Sequence, residues 1–279
     1  MKKTVSLLKQ NAGLFAGSVL LWFLFPATFV YAQAPVIDEY EIIATYPHDT
    51  RSFTQGLVYQ DGRLFESTGR FGQSRLLEAE LETGKIIREH RLDDHHFGEG
   101  LVYWQNRLIQ LTWRAGLVFV YDADTFERLE TLSNPEVGWG LALNQRGLLH
   151  SDGSDVIYVR DPETFIEIDR LEVQDGGQAV THINELEALG DTVLANIWKS
   201  DYIAHINLED GSVLQWIDLS ALRPASTQSS SVSVLNGIAY RPEREHLLVT
   251  GKLWPVLYEI KVPALSTHIK NWHLHQPNE

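Results

Sequence analysis

The sequence contains no cysteine among its 279 residues. That absence excludes a disulfide framework, a zinc finger, an iron–sulfur site and a cysteine nucleophile. Positive charge is scarce: 23 Lys and Arg stand against 37 Asp and Glu, for a formal net charge of −14. Acid and base are interspersed, which argues against capture of nucleic acid through its phosphates. Past the N-terminal segment, no stretch sustains a helical hydrophobic period over three turns. Yet 44% of residues are hydrophobic, so the chain is not a disordered one. Tryptophan, with eight copies, is used more heavily than core filling requires.

The first 34 residues stand apart. Lys2, Lys3 and Lys9 precede an apolar run from Gly13 to Tyr31, which ends in Ala32-Gln33-Ala34. Basic start, apolar centre and a small-x-small end form an export signal. The alternative is an uncleaved membrane anchor, because the run is long for a signal core. No cysteine follows for lipid attachment. An exported chain without cysteine suits a bacterial periplasm, where a domain of residues 35–279 relies on its core.

From Tyr40 onward, short apolar runs alternate with turn dipeptides such as Asp61-Gly62, Thr83-Gly84 and Asp210-Gly211. Five segments align: Gln55-Gly-Leu-Val-Tyr, Glu99-Gly-Leu-Val-Tyr, Trp139-Gly-Leu-Ala-Leu, Asn184-Glu-Leu-Glu-Ala and Asn236-Gly-Ile-Ala-Tyr. Their starts are 44, 40, 45 and 52 residues apart. Each is followed by a polar turn and a second apolar strand, then by a variable third strand that usually ends in an acid with Thr or Gly. Units of this length with about four strands have the period of a propeller blade. The sequence therefore predicts an all-β, five-bladed propeller in one domain. The strand Tyr40–Tyr46 precedes the first unit and is expected to complete the fifth blade, which hides the edges of the ring. The Ser-rich stretch around 223–233 reads as a flexible loop between the last two blades.

The repeat also locates a site. Position one of the inner strands reads Gln55, Glu99, Trp139, Asn184 and Asn236. Four of these are followed by Gly, which lets neighbouring backbones crowd at the axis. The hairpin returns Gly69, Trp113, Gly153, Trp198 and, after a longer turn, Lys252 to the same end. A cage of Trp113, Trp139 and Trp198 suits the apolar stem or cationic head of a small ligand. Packing between blades is the plainer reading of any one of them. Glu66 is a charged residue in an apolar strand, near the same mouth. Asp93-Asp-His-His resembles a metal cluster, but consecutive side chains of an extended segment point opposite ways and this one sits in the turn entering the second blade, so no metal is assigned there. His273 and His275 read as an ordinary tail.

At this point the sequence resembles the glutaminyl-peptide cyclotransferases of the plant and bacterial type. The resemblance rests on Phe53-Thr-Gln-Gly-Leu, Phe65-Glu-Ser-Thr-Gly, Phe97-Gly-Glu-Gly-Leu, Gly138-Trp-Gly-Leu, Asn184-Glu-Leu-Glu, Ala195-Asn-Ile-Trp, Leu235-Asn-Gly-Ile-Ala and Thr250-Gly-Lys-Leu-Trp-Pro. It implies a five-bladed propeller and cyclisation of a peptide's N-terminal glutamine to pyroglutamate with release of ammonia. It implies a site containing Gln55, Glu66, Asn184, Lys252, Trp113, Trp139 and Trp198, which largely coincide with the mouth positions of the repeat. Glu99 and Asn236 of that mouth, and Phe53, are expected beside them for substrate. Ser233 departs from the acid that family members often carry there, which puts loop-dependent peptide preference in question.

The expected chemistry assigns Glu66 as the proton carrier, with Lys252 and Asn184 facing the oxyanion. The remaining residues named hold and wall the substrate. No cofactor is required, although a structural calcium on the axis is compatible with a propeller. A monomer is expected, with membrane contact only if the N-terminal segment stays attached. Two rivals remain: a ligand-binding propeller without turnover, and a metal-dependent propeller lactonase.

Overall fold

The structure, a computed structural model, describes residues 33–266. The expected export signal lies almost entirely outside the described residues, as do His273 and His275. Among the described residues, no helix is long and apolar enough to cross a membrane.

Five sheets are arranged as blades of four antiparallel strands each, and the short strand Val36–Ile37 adds a parallel fifth strand to one of them. Blade 1 comprises Thr54–Gln60, Arg63–Thr68, Arg75–Ala79 and Ile86–Arg91. Blade 2 comprises Gly98–Trp104, Arg107–Thr112, Leu117–Asp122 and Arg128–Ser133. Blade 3 comprises Leu141–Asn144, Gly147–Ser151, Val156–Arg160 and Glu167–Glu172. Blade 4 comprises Ile183–Leu189, Thr192–Ile197, Tyr202–Asn207 and Val213–Asp218. Blade 5 comprises Leu235–Arg241, His246–Gly251 and Val256–Lys261, and its outer strand is Glu41–Pro47 from the other end of the chain. That strand pairs antiparallel with the third, Glu41 opposite Lys261 and Tyr46 opposite Leu257. The expected ring closure is therefore observed. Each inner strand contacts the inner strands of both neighbours, so the five form a closed ring.

The core is divided as the blades are. Phe65 and Leu76 of blade 1 pack on Leu101, Leu108 and Phe119 of blade 2. Ile203 and Ile217 of blade 4 pack on Ile238, Leu247 and Trp254 of blade 5. Three further clusters fill the other interfaces. Burial of each such side chain contributes roughly 1.5–3 kcal/mol. Outer strands alternate between exposed and half-buried residues, as in Ile86–Arg91, because only one face meets a neighbour.

Two features of the repeat acquire a physical account. The acid-plus-Thr ending of the third strand is a side-chain-closed turn. Asp122 Oδ1 accepts from the backbone N–H groups of Asp124 and Thr125 and from the Thr125 hydroxyl. Asp161 does the same for Glu163 and Thr164. The turn drives Phe126 and Phe165 into a left-handed conformation (φ 60° in both) and into the core. The glycines after position one sit where backbones crowd: a Cβ on Gly56 would lie 2.5 Å from the Leu101 nitrogen.

Blade 4 carries Glu185 where the other blades carry this glycine. Its Oε1 accepts from the Leu57 N–H of blade 1 (3.3 Å), and its Oε2 from the Ile238 N–H of blade 5 (2.9 Å). The side chain thus ties three inner strands together at the axis. Burial pushes its carboxyl pKa well up.

The loop expected to be flexible is instead organised. Arg223 donates to the carbonyls of Thr227, Ser230 and Ser233, and Thr227 and Ser233 are buried.

Candidate active site

Backbone hydrogen bonds at the ends of the inner hairpins define one mouth. Gly69 N donates to Phe53 O (2.8 Å), Trp113 N to Phe97 O (3.0 Å) and Trp198 N to His182 O (2.9 Å). Lys252 N donates to Val234 O (2.9 Å), so Lys252 occupies the position that Trp113 and Trp198 hold in their blades. Position one of the repeat lies two residues later in each hairpin, at Gln55, Glu99, Asn184 and Asn236. The structure brings position one and the returning strand to the same end, as the repeat implied.

The polar floor of this mouth is buried. Gln55, Glu99, Asn184, Asn236 and Lys252 are each under 5% exposed. Gln55 Nε2 donates to Glu99 Oε2 at 2.5 Å. Asn236 Nδ2 donates to the Thr54 carbonyl. Three amide oxygens, Gln55 Oε1, Asn184 Oδ1 and Asn236 Oδ1, are buried with no partner in the protein. A buried acceptor without a donor costs about 1–3 kcal/mol, and such groups call for a ligand or water that donates. Lys252 Nζ lies 5.0 Å from the centre of the Phe53 ring.

The two charged residues perturb each other. Burial pushes the Glu99 carboxyl pKa well up, while Lys252 and the Gln55 hydrogen bond pull it back. Burial lowers the Lys252 ammonium to about 8, and the Glu99 charge opposes that. A titratable pair with pKa values driven towards each other is suited to proton transfer near neutral pH.

Aromatic rings wall the opening in two groups. Phe97 meets Phe53, Phe71 and Trp113 with ring centres 6.2, 5.5 and 5.6 Å apart. Trp139 meets Trp198 at 5.6 Å, and His182 stacks on Trp198 at 5.9 Å. The single three-tryptophan cage is thus corrected: Trp113 belongs to the phenylalanine group, and Trp139 and Trp198 form the other. Gly69 and Gly153 leave room for Phe97 and Trp139, whose rings a Cβ at either glycine would strike. Trp198 is 37% exposed, and Trp113 and Trp139 are half-buried. Blade packing is instead the task of Trp254, which is fully buried and donates its ring N–H to the Ser233 carbonyl. Sequence reasoning missed Phe71, Phe97 and His182 as wall residues. Phe97 and His182 each lie two residues before a position-one residue, the signal that could have found them.

Glu66 lies apart from the floor, between blades 1 and 5. Its oxygens accept from Thr54 Oγ1 (2.7 Å) and Ser52 Oγ (3.0 Å) and pair with His48 Nε2 (3.3 Å). His48 Nδ1 in turn meets the Trp254 carbonyl at 2.8 Å. Burial disfavours the His48 cation, yet Glu66, the Trp254 carbonyl and Asp49 together outweigh it and the His48 pKa is raised. Alternation along the strand explains the placement: Glu66 pairs with Leu57 in register and shares its face, which packs on blade 5.

The Asp93–His96 segment forms the turn expected at the entry to blade 2: His96 N donates to Asp93 O (2.8 Å). Potential ligand atoms of Asp93, His95 and His96 lie within 4.8 Å of one another. At the opposite end of the ring, a cavity of about 550 Å³ is lined by Tyr59, Tyr103, Glu187 and Tyr240 among others. Burial raises Glu187 to about 8, and its carboxylate accepts from the Tyr240 N–H (3.1 Å). No lysine lines that cavity.

Comparison with known proteins gives the family. The glutamine cyclotransferase family model matches residues 18–262. The glutaminyl-peptide cyclotransferase of Arabidopsis thaliana is 38% identical over 240 residues, covering 85% of this chain and 75% of that protein. The crystal structure of Myxococcus xanthus glutaminyl cyclase superposes with a TM-score of 0.76 at 38% identity, covering 81% of this chain and 97% of that one. With the propeller and its motifs matched together over this length, the chain belongs to the glutamine cyclotransferase family.

Proposed function

We infer that the chain is a glutaminyl-peptide cyclotransferase, converting the N-terminal glutamine of a peptide to pyroglutamate and ammonia. The observation that carries this reading is the buried Glu99–Gln55–Lys252 group with three unpartnered amide oxygens under an aromatic rim. An N-terminal glutamine brings matching donors, an α-amine and a carboxamide NH₂, on an apolar stem. The reaction is intramolecular: the α-nitrogen attacks the side-chain Cδ, a bond to the amide nitrogen breaks, and ammonia leaves. Folding the side chain back is therefore a positioning task.

The proposal moves the proton carrier from Glu66 to Glu99. Glu99 takes a proton from the attacking amine and delivers it to the leaving nitrogen. Burial raises its pKa, which narrows the gap to the substrate's α-amine and favours both transfers. Lys252 offsets the charge that develops on the carbonyl oxygen. Gln55, Asn184 and Asn236 accept from the amine and amide N–H groups; for Asn184 this replaces the oxyanion role. Phe53, Trp113, Trp139 and Trp198 enclose the stem and exclude water. Glu66 braces blade 1 against blade 5. No step needs a metal, because Glu99 and Lys252 serve both the leaving nitrogen and the oxyanion.

We further infer export to a bacterial periplasm, from the N-terminal sequence, and action as a monomer. The deciding experiment is ammonia release from Gln-Ala by the purified protein, with and without EDTA. Release in both arms is expected. No release refutes the cyclotransferase reading, and loss with EDTA refutes the metal-free chemistry.

A further inference from the structure

We propose that maturation leaves Gln33 as the N-terminal residue of this protein, and that the enzyme converts it to pyroglutamate on other copies of itself. The inference rests on the cyclotransferase reading and on an export signal.

Two cleavage points fit a small-x-small pattern. One follows Ala34 and the other follows Ala32, after Val30-Tyr31-Ala32. A cut after Ala34 has Pro35 on the leaving side. The scissile nitrogen is then a tertiary amide with no hydrogen, crowded by its own ring. A cut after Ala32 has Gln33 on the leaving side and meets no such obstacle.

The fold points the same way. Ala34 N donates to Asp175 Oδ1 at 2.6 Å, and Trp216 clamps the other carboxylate oxygen through its ring N–H at 2.9 Å. The Pro35 carbonyl accepts from Trp216 N (2.8 Å), and Val36–Ile37 runs parallel to Trp216–Ile217. Ala34 also packs against the core cluster between blades 3 and 4. The chain is built into the domain from Ala34 onward, so a cut after Ala34 would discard a contact that the fold makes. Gln33 is exposed and is the first residue outside this anchor.

A chain starting at Gln33 carries the substrate of its own reaction. The Gln33 α-nitrogen bonds to its Cδ, the Cδ–Nε2 bond breaks, and the amide nitrogen leaves as ammonia. The product loses one positive charge and one ammonia in mass, with no oxidant or reductant. The step is intermolecular once the domain has folded. Ala34 leads into Val36–Ile37, which pairs outside the fourth strand of blade 4 and so lies four strand spacings, roughly 19 Å, from the inner strand. One residue reaches only about 3.6 Å. The resulting lactam has no α-amine, so an exposed end of an exported protein resists aminopeptidases.

The test is to produce the full chain with export in a bacterial host, as wild type and as Glu99→Gln. Each is analysed by intact mass, by N-terminal sequencing and for ammonia release from Gln-Ala. Wild type is expected to be blocked, to weigh one ammonia less than a chain starting at Gln33, and to be opened by pyroglutamyl aminopeptidase. Glu99→Gln is expected to retain free Gln33 and to become blocked on adding wild type, faster than in buffer by roughly 100-fold or more. A chain beginning at Pro35, or one still carrying Met1, overturns the processing. Free Gln33 on a preparation that turns over Gln-Ala overturns the self-modification alone. Equal rates with and without wild type overturn it as well. A wild type inactive on Gln-Ala overturns the activity reading, and the N-terminal residue found still decides the processing site.

Discussion

Glu99→Gln is the substitution that best separates the proposed chemistry from mere binding. The glutamine has the same shape, and its Oε1 can still accept the Gln55 Nε2 proton now held by Glu99 Oε2 at 2.5 Å. What disappears is a group able to take and return a proton in a buried site. General acid–base catalysis by one side chain contributes ~10²–10⁴-fold, or about 3–5 kcal/mol of barrier. Loss of the Glu99 charge also removes the influence that holds the Lys252 pKa up, so Lys252 drops further below about 8. Both effects lower kcat. Stability should move the other way or not at all, because an ionisable group whose burial is unfavourable has been neutralised. Steady-state ammonia release from Gln-Ala gives kcat, and a thermal melt gives Tm. Glu66→Gln is the control: it weakens the His48, Ser52 and Thr54 contacts and should lower Tm while kcat falls less than about tenfold. A Glu99→Gln enzyme turning over within threefold of wild type, roughly 0.7 kcal/mol, would refute the assignment. So would a hundredfold loss in Glu66→Gln at unchanged Tm.

Other expectations can be checked on the same protein. Activity against pH should be bell-shaped, rising as the substrate amine deprotonates and falling as Lys252 deprotonates at about 8. Lys252→Arg should carry the alkaline limb to higher pH, since a guanidinium stays charged, whereas Lys252→Met should abolish turnover and raise Tm. Trp139→Ala should raise KM with little change in kcat, as measured over a series of Gln-peptides; a lower Tm at constant KM would assign Trp139 to packing instead. Glu185→Ala strands the buried Leu57 and Ile238 N–H groups and should cost about 2–6 kcal/mol in urea unfolding. His48 has a raised folded pKa, so its contribution to stability is complete below pH ~6.5 and fades as pH rises through the folded value. His48→Gln should flatten the Tm profile across that interval.

Much of the molecule was legible because a propeller repeats one local rule. Each blade is a run of antiparallel hairpins, and hairpin register is set by turn and strand length within a few dozen residues. Aligning five short segments was therefore enough to count the blades, to assign the N-terminal strand to the last one, and to place Gln55, Glu99, Asn184, Asn236 and Lys252 at one end. The same local rule made the Ser-rich loop look free. A loop tied by Arg223 depends on particular contacts that no period announces.

The tertiary structure decided what each residue meets. Glu66 and Glu99 are both acids in apolar strands, and sequence alone made Glu66 the proton carrier, whereas the structure sets Glu99 beside Gln55 and Lys252 and Glu66 beside His48, Ser52 and Thr54. The partners of Glu99 and Glu185 come from other blades: Gln55 reaches Glu99 across 44 residues, and Glu185 reaches Leu57 across 128. Burial, which drives the shifts of Glu99 and Lys252, is likewise a property of the closed ring. Cysteine's absence, the acidic charge and the fivefold period are properties of the chain and were settled by reading it. Which carboxylate shares a dry pocket with a lysine is settled only when the ring closes, because desolvation and pairing act through space and not along the sequence.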